Sequence, residues 1–316
     1  MNQAQPPSLT PPRLTGALAG SIVVGTLLLA LPRFAHTTPD SIYYTDLLRY
    51  FQGDLDRAAL QTPFAFRFLV PWVAAWLPLP SPAIAIATCS MVATCGAYLL
   101  AVRLWANFLE TQRQLHVAAL LLVCSFPTVN YGSAVMTDAA GFLVVTAACL
   151  ALYHHAYLVL GLLLVLGSGV RESTLLMLPV MALYFAQTRR PGWLPALGII
   201  SVSTLLAAGA TRGYFADLPP YFWTPTWGRM MDNLSRPVSW ATVTLTMGPL
   251  LVLFVLPTSK GPAPMALRQF VVSLALPCLA LFAYGVTSAF MSGRFLWPLY
   301  LALVPLVAWR VSRETA

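Results

Sequence analysis

The chain has 316 residues, 58% of them hydrophobic and 9% charged, with a mean hydropathy of +0.73. Soluble globular domains carry about a quarter charged residues, so this composition excludes a water-soluble protein and leaves an integral membrane protein. The net charge is +8, and Lys260 is the one lysine among 18 basic residues. These basic residues are scattered over short loops, as orientation signals are, which speaks against a nucleic-acid partner.

In lipid, every backbone polar group must find its partner within the protein, so a spanning segment is a helix or part of a closed barrel. The apolar runs are continuous rather than alternating, which rules out the barrel. The predicted fold class is therefore all-α, a polytopic transmembrane helical bundle of about 10 spans, several of them shorter than the roughly 20 residues a square crossing needs. Residues 14–316 read as one transmembrane domain.

Residues 1–13 are polar and proline-rich and read as a disordered cytoplasmic N-terminus. Spans follow at 14–31, 82–104, 115–128, 139–156, 157–169, 173–187, 194–211, 239–257, 269–289 and 295–310. The first lacks a small-x-small cleavage site and reads as an uncleaved span. Those between 115 and 187 are short enough to be tilted, broken or re-entrant. Residues 65–79, with Pro71 and Pro78, read as a short helix that dips into the bilayer without crossing.

With the N-terminus in the cytoplasm, Arg103, Arg113, Arg189, Arg190, Lys260, Arg268, Arg310 and Arg313 all fall inside, as does the C-terminus. The other face then receives 32–67, the turn Asn130–Asp138, the break at Gly167–Glu172, the loop 212–238 and Met291–Arg294. Most residues able to do chemistry arrive on this non-cytoplasmic face, although chemistry played no part in assigning it.

Loop 32–67 gathers four of the ten acidic residues. Asp40 precedes an amphipathic segment with Leu47, Leu48, Phe51, Leu55 and Ala59 on one face, predicted to lie on the membrane surface. Asp40 or Ser41 can cap that helix; alternatively Asp40, or Asp46 further along, is a general base for an acceptor hydroxyl. Tyr43 and Tyr44 suit interfacial anchoring or stacking on a sugar. Asp54 and Asp56 point to nearly opposite sides of a helix, which favours a solvated face over a divalent-ion site.

Arg67, between Phe66 and Phe68, either snorkels to the interface or offers its donor fork to a phosphate. Thr137 and Asp138 make a plausible helix start, yet a carboxylate at lipid depth is costly and therefore suspect as a functional group. Arg171 and Glu172 interrupt an apolar stretch after Gly167-Ser-Gly169, as a structural ion pair or a functional site. Arg294 has the same profile. In loop 212–238 the aromatics Tyr214, Tyr221, Phe222, Trp223 and Trp227, with Arg229, form either an interfacial belt or a lid. The five cysteines lie in apolar spans without ligand spacing, and the adjacent His154 and His155 diverge on a helix, so neither set reads as a metal site.

Asp40-x-x-Tyr43-Tyr44, Pro63-Phe-x-Phe-Arg67-x-Leu-x-Pro71, Asn130-Tyr-Gly … Thr137-Asp138, Arg171-Glu172 and Arg294 before Trp297-Pro298 together resemble the GT-C superfamily of polytopic glycosyltransferases. The resemblance spans about residues 14–310 as spaced short motifs. It implies transfer of a sugar from a polyprenyl-phosphate-linked donor to a glycan, lipid or protein acceptor, usually with inversion, on the non-cytoplasmic face of a bacterial inner membrane. Asp40 would be the base, with Asp46 in reserve, and Arg67, Arg171 and Arg294 would hold the departing phosphate. The chain is short for that superfamily, and Asp138 has no acidic neighbour, so no required metal and no cofactor is expected. A transporter or flippase for a lipid-linked saccharide, and a non-catalytic subunit of an envelope assembly, are the competing readings.

Overall fold

The computed structural model describes residues 12–188, 192–219, 224–255 and 262–312. The disordered reading of residues 1–11, the aromatics Tyr221, Phe222 and Trp223, and the basic residues Arg189, Arg190, Lys260 and Arg313 lie outside them.

Among the described residues the chain is helical throughout. In order come α1 (Gly16–Ala30), α2 (Ser41–Gln52), α3 (Leu69–Ala75), α4 (Pro82–Trp105), α5 (Gln112–Val123), α6 (Phe126–Tyr131) and α7 (Asp138–Tyr153). Then follow α8 (Tyr157–Val170), α9 (Met177–Thr188), α10 (Trp193–Tyr214), α11 (Trp227–Ser235), α12 (Pro237–Val255), α13 (Met265–Ser288) and α14 (Tyr300–Val311). Short 3-10 turns at Phe64–Arg67, Glu172–Leu176 and Gly293–Leu299 lead into α3, α9 and α14.

Six segments are long and apolar enough to cross a membrane: Gly16–Arg33, α4, α10, α12, α13 and Gly293–Val311. This is a helical membrane bundle. α7 and α8 are apolar but shorter, and α5 and α9 have 12 residues each. The stretch 65–79 holds the seven-residue α3, which packs on α2 and α4 and is far too short to cross.

Local chemistry sets the helix limits. Ser81 caps α4 by accepting from Ile84 N–H, with Pro82 in the first position, and Thr111 and Gln114 form a reciprocal capping box on α5. α2 stops at Gly53, whose φ of +82° is the left-handed conformation a helix C-terminus favours. Leu55 and Ala59 therefore lie beyond the helix rather than on its apolar face. That face instead turns inward, burying Tyr44, Leu47 and Leu48.

α4 and α7 form the central pair, with α1, α3 and α5 on one side and α8, then α10, beyond α7. Trp297 stacks on Phe142 of α7 at 4.8 Å, and Tyr98 of α4 meets the Phe142 edge at 6.2 Å. The Trp105 indole N–H donates to the Leu301 carbonyl at 3.0 Å, fastening α14 to α4. The bundle has two recognisable ends. At one, Arg13 and Gln112 exchange hydrogen bonds, and Phe108 touches both Tyr153 and Phe270 at 5.0 Å. The other end, separated by the roughly 24 Å length of α7, carries Asp40, Arg67, Asp138, Arg171, Glu172 and Arg294.

Candidate functional site

Five parts of the chain deliver ionisable side chains to that second end. Asp40 precedes α2, and Tyr44 lies one turn inside it. Arg67 ends its 3-10 turn, Asp138 opens α7, Arg171 and Glu172 occupy the break between α8 and α9, and Arg294 precedes α14. Three ion pairs knit them together. Arg294 Nη1 meets Asp40 Oδ2 at 2.9 Å, Arg67 Nε meets Glu172 Oε2 at 2.7 Å, and Arg171 pairs with Asp138. Arg67 Nη1 also donates to the Tyr44 hydroxyl at 2.6 Å.

These contacts decide between the readings open at the sequence level. Asp40 occupies the N-cap position of α2 but makes no side-chain cap; its carboxylate is spent on Arg294. Ser41 also faces elsewhere, donating to the Val135 carbonyl at 2.9 Å. Thr137 does not cap α7 either, and Asp138 is buried against Arg171. Arg171 and Glu172 do not pair with each other: adjacent in an extended break, they diverge to partners on different elements. Gly167 and Gly169 lie inside α8, not in the break. Added Cβ atoms there would meet Val144 and Phe68 at 2.8 Å each, so the glycines serve close packing.

Gly141, one turn after Asp138, leaves room for Arg171 to lie along α7; an added Cβ would stand 3.3 Å from Arg171 Cδ. Burial opposes the charge on Arg67, but Glu172 and Tyr44 outweigh it, so the guanidinium holds its proton more tightly than usual. Asp138 Oδ2, Glu172 Oε1 and Arg294 Nε are buried without a hydrogen-bond partner among the described residues.

A cavity of about 410 Å³ opens beside this cluster, walled by Arg67, Arg171, Glu172, Ser173, Phe66, Tyr284 and Phe295. Its rim carries Arg212, an exposed cation in the last turn of α10 that forms no ion pair among the described residues. Its guanidinium lies 5.9 Å from the Phe66 ring. Glu172, Ser173 and Leu281 also line a second, apolar groove of about 390 Å³ between α9 and α13, walled by Leu176, Pro179, Leu183, Leu276, Pro277 and Ala280. The cationic cavity and the apolar groove thus lie side by side, with Glu172, Ser173 and Leu281 lining both. A void of about 20 Å³ between Asp138, Arg171 and Arg294 is the size of one water.

No family model, curated protein or solved structure matches this chain. The reading of the site therefore rests on its own chemistry.

Of the residues singled out from sequence, Asp40, Tyr44, Arg67, Asp138, Arg171, Glu172 and Arg294 are brought together. Tyr43 stacks flat on Phe64 at 4.2 Å, beside the cluster rather than in it. Asp46 is half-buried and makes no hydrogen bond or ion pair with another described residue. Standing two residues after Tyr44, it faces the opposite side of α2. Arg212 and Ser173 were not anticipated. The signal for Arg212 is a cation just past the apolar run 194–211.

The segment around Arg57 and Thr62 is fastened to the residues that follow α10. Arg57 donates to the Asp217 carboxylate at 2.7 Å and to the Tyr214 carbonyl, and Thr62 N–H donates to the Pro219 carbonyl at 3.2 Å. The Arg57 hydrogen bond holds the Asp217 carboxyl below its usual range.

Proposed function

We propose that this chain is a membrane glycosyltransferase of GT-C type. It moves a sugar from a polyprenyl-phosphate-linked donor to the hydroxyl of an envelope glycan, lipid or protein acceptor. The observation that carries the reading is an arginine-lined cavity directly beside an apolar groove, with lining residues in common, a polarity pattern that suits an isoprenoid phosphate. Arginine forks suit phosphate oxygens, and the groove suits a hydrocarbon tail.

Charge supports it further. Arg67, Arg171 and Arg294 are each neutralised by a carboxylate, so the surplus at the site is the single charge of Arg212. One surplus cation matches one phosphodiester anion without a metal. In the reaction the acceptor oxygen attacks the anomeric carbon from the face opposite the phosphate. The carbon–oxygen bond to phosphate breaks, its electron pair leaving with the phosphate, and the hydroxyl proton passes to Asp40. Arg294 holds Oδ2 of Asp40 and leaves Oδ1 for that proton. Preorganised cations stabilise the charge developing on the leaving phosphate.

On this reading the charged end of the bundle is non-cytoplasmic, in a bacterial-type inner membrane, and both termini are cytoplasmic. α2 belongs to the first exoplasmic loop. α5, α7, α8 and α9 share the membrane with the six longer segments, which gives ten crossings and puts every charged residue of the site on one side.

The test is rescue of the surface-glycan profile of a deletion strain by wild type, Asp40→Asn and Asp46→Asn at matched expression. Alongside it, transfer from a labelled polyprenyl-phosphate sugar is measured with purified protein in nanodiscs. Loss of a general base typically costs 10²–10⁴-fold, so Asp40→Asn is expected to lose at least about 100-fold and Asp46→Asn to stay near wild type. Full rescue by Asp40→Asn would move the assignment to a transporter or a non-catalytic subunit.

A further inference from the structure

α11 has two faces with different surroundings. Trp227, Met231 and Leu234 recur at helical spacing along one of them, and all are exposed, Trp227 at 73% and Met231 at 49%. Trp240 and Phe290 extend this apolar surface, and Arg236 lies 4.5 Å over the Phe290 ring. Arg229 adds a second cation on the helix. After Arg236 the chain passes straight into α12, a segment apolar enough to cross the membrane. An amphipathic helix with tryptophan and arginine, abutting a span, belongs in the headgroup layer of the bilayer.

The inward side is a single residue. Asn233 is buried, its exposure 1%, and its carboxamide makes three hydrogen bonds. Nδ2 donates to the Val286 carbonyl at 2.8 Å and to the Ala289 carbonyl at 2.6 Å; Oδ1 accepts from Met291 N–H at 3.2 Å. Thr226 N–H adds a bond to the Thr287 carbonyl at 3.0 Å. Carbonyls at a helix C-terminus have no partner within the helix, and here α11 supplies it. The segment so held runs from the last turn of α13 directly to Ser292, Gly293 and Arg294. Gly293 N–H donates to Thr242 Oγ1 at 3.2 Å, and the Arg294 guanidinium ends on Asp40.

We infer that α11 is an arm seated in the lipid headgroup layer that holds Arg294 in register with Asp40, and that Asn233 is the positioning residue through which it does so. The occupant of the exposed face is the bilayer surface itself, on the argument of its continuity with α12 and of its cationic, tryptophan-bearing composition. That Arg294 matters to chemistry rests on the glycosyl-transfer reading; the mechanical coupling does not.

Two measurements on the full chain in nanodiscs test it. Brominated lipids are expected to quench a part of the tryptophan fluorescence that Trp227→Phe removes. Hydrogen exchange over residues 289–294 is expected to accelerate about ten-fold or more in Asn233→Ala, the consequence of losing these hydrogen bonds. Asp232→Ala, on the exposed side of the same helix, is expected to leave that exchange unchanged. Asn233→Asp keeps the acceptor for Met291 N–H but sets a carboxylate oxygen against the Val286 and Ala289 carbonyls, so its exchange should rise at least as much as that of Asn233→Ala. Unaltered exchange in a folded Asn233→Ala would overturn the coupling, and equal quenching with and without Trp227 would overturn the seat in the bilayer. Failure of Asp40→Asn to affect transfer would sink the catalytic reading and leave both of these results standing.

Discussion

Asp138 and Arg171 are each stripped of water at the head of α7, and neither can be removed alone without stranding the other. Breaking such a buried pair costs about 3–5 kcal/mol, whereas replacing both members by apolar residues is often neutral. Asp138→Leu and Arg171→Met are therefore expected to lower the unfolding midpoint in detergent substantially, and the double variant to recover most of the loss. The recovered double variant should still fail in transfer, which separates the pair's part in stability from its proposed part in phosphate binding. A double variant as unstable as either single one would show that the site depends on these charges for its shape. Tyr44 belongs at this scale too: its hydroxyl holds the Arg67 fork in the orientation that presents it to Glu172 and the cavity.

The 3-10 turn Gly293–Leu299 sets the height of Arg294, and it can approach α12 only because Gly293 has no side chain. A Cβ there would collide with Thr246 Oγ1 and stand 2.5 Å from the Thr242 carbonyl. Gly293→Ala is expected to push the turn off α12 at a cost of about 1–3 kcal/mol, read as a lower unfolding midpoint together with reduced transfer. Thr246→Ala should not rescue it, because the Thr242 carbonyl is backbone and cannot rotate away; rescue would locate the constraint in the Thr246 side chain instead. Phe295 is held by the same device, its ring standing 3.0 Å from where a Cβ of Gly285 would be. Small residues at crossing points let backbones close up in a membrane bundle, and here they fix the position of the turn that carries Arg294.

Across the whole molecule, alternating helices bring the start of α2, the start of α7, the ends of α8 and α10 and the approach to α14 to one end, and the turn after α4 to the other. The proposed membrane sidedness rests on that alternation and on the arginine distribution. In a cysteine-free background, Asp54→Cys is expected to react with an impermeant maleimide in intact cells, and Glu110→Cys only after permeabilisation. Both positions are exposed, so the contrast reports sidedness rather than burial. Labelling of both from the same side would dismantle the topology and with it the exoplasmic site.

Composition and the run of apolar residues were enough to establish a helical membrane protein, because the bilayer offers backbone polar groups no alternative partner. The charged positions Asp40, Arg67, Asp138, Arg171, Glu172 and Arg294 were legible for the same reason: an ion interrupting an apolar run is costly and stands out. Partners were not legible. Sequence proximity offered a cap for Asp40 and an ion pair at Arg171 and Glu172 as alternatives to functional roles, whereas packing joined Asp40 to Arg294, Arg67 to Glu172 and Asp138 to Arg171. Nor did the sequence show that Asp40 meets Arg294 while Asp46 stands on the other side of α2, or that Asn233 is the buried residue of α11. Burial cost is written in the identity of each residue and its neighbours along the chain; which ion neutralises which depends on where separate helices end, and only the tertiary structure decides that.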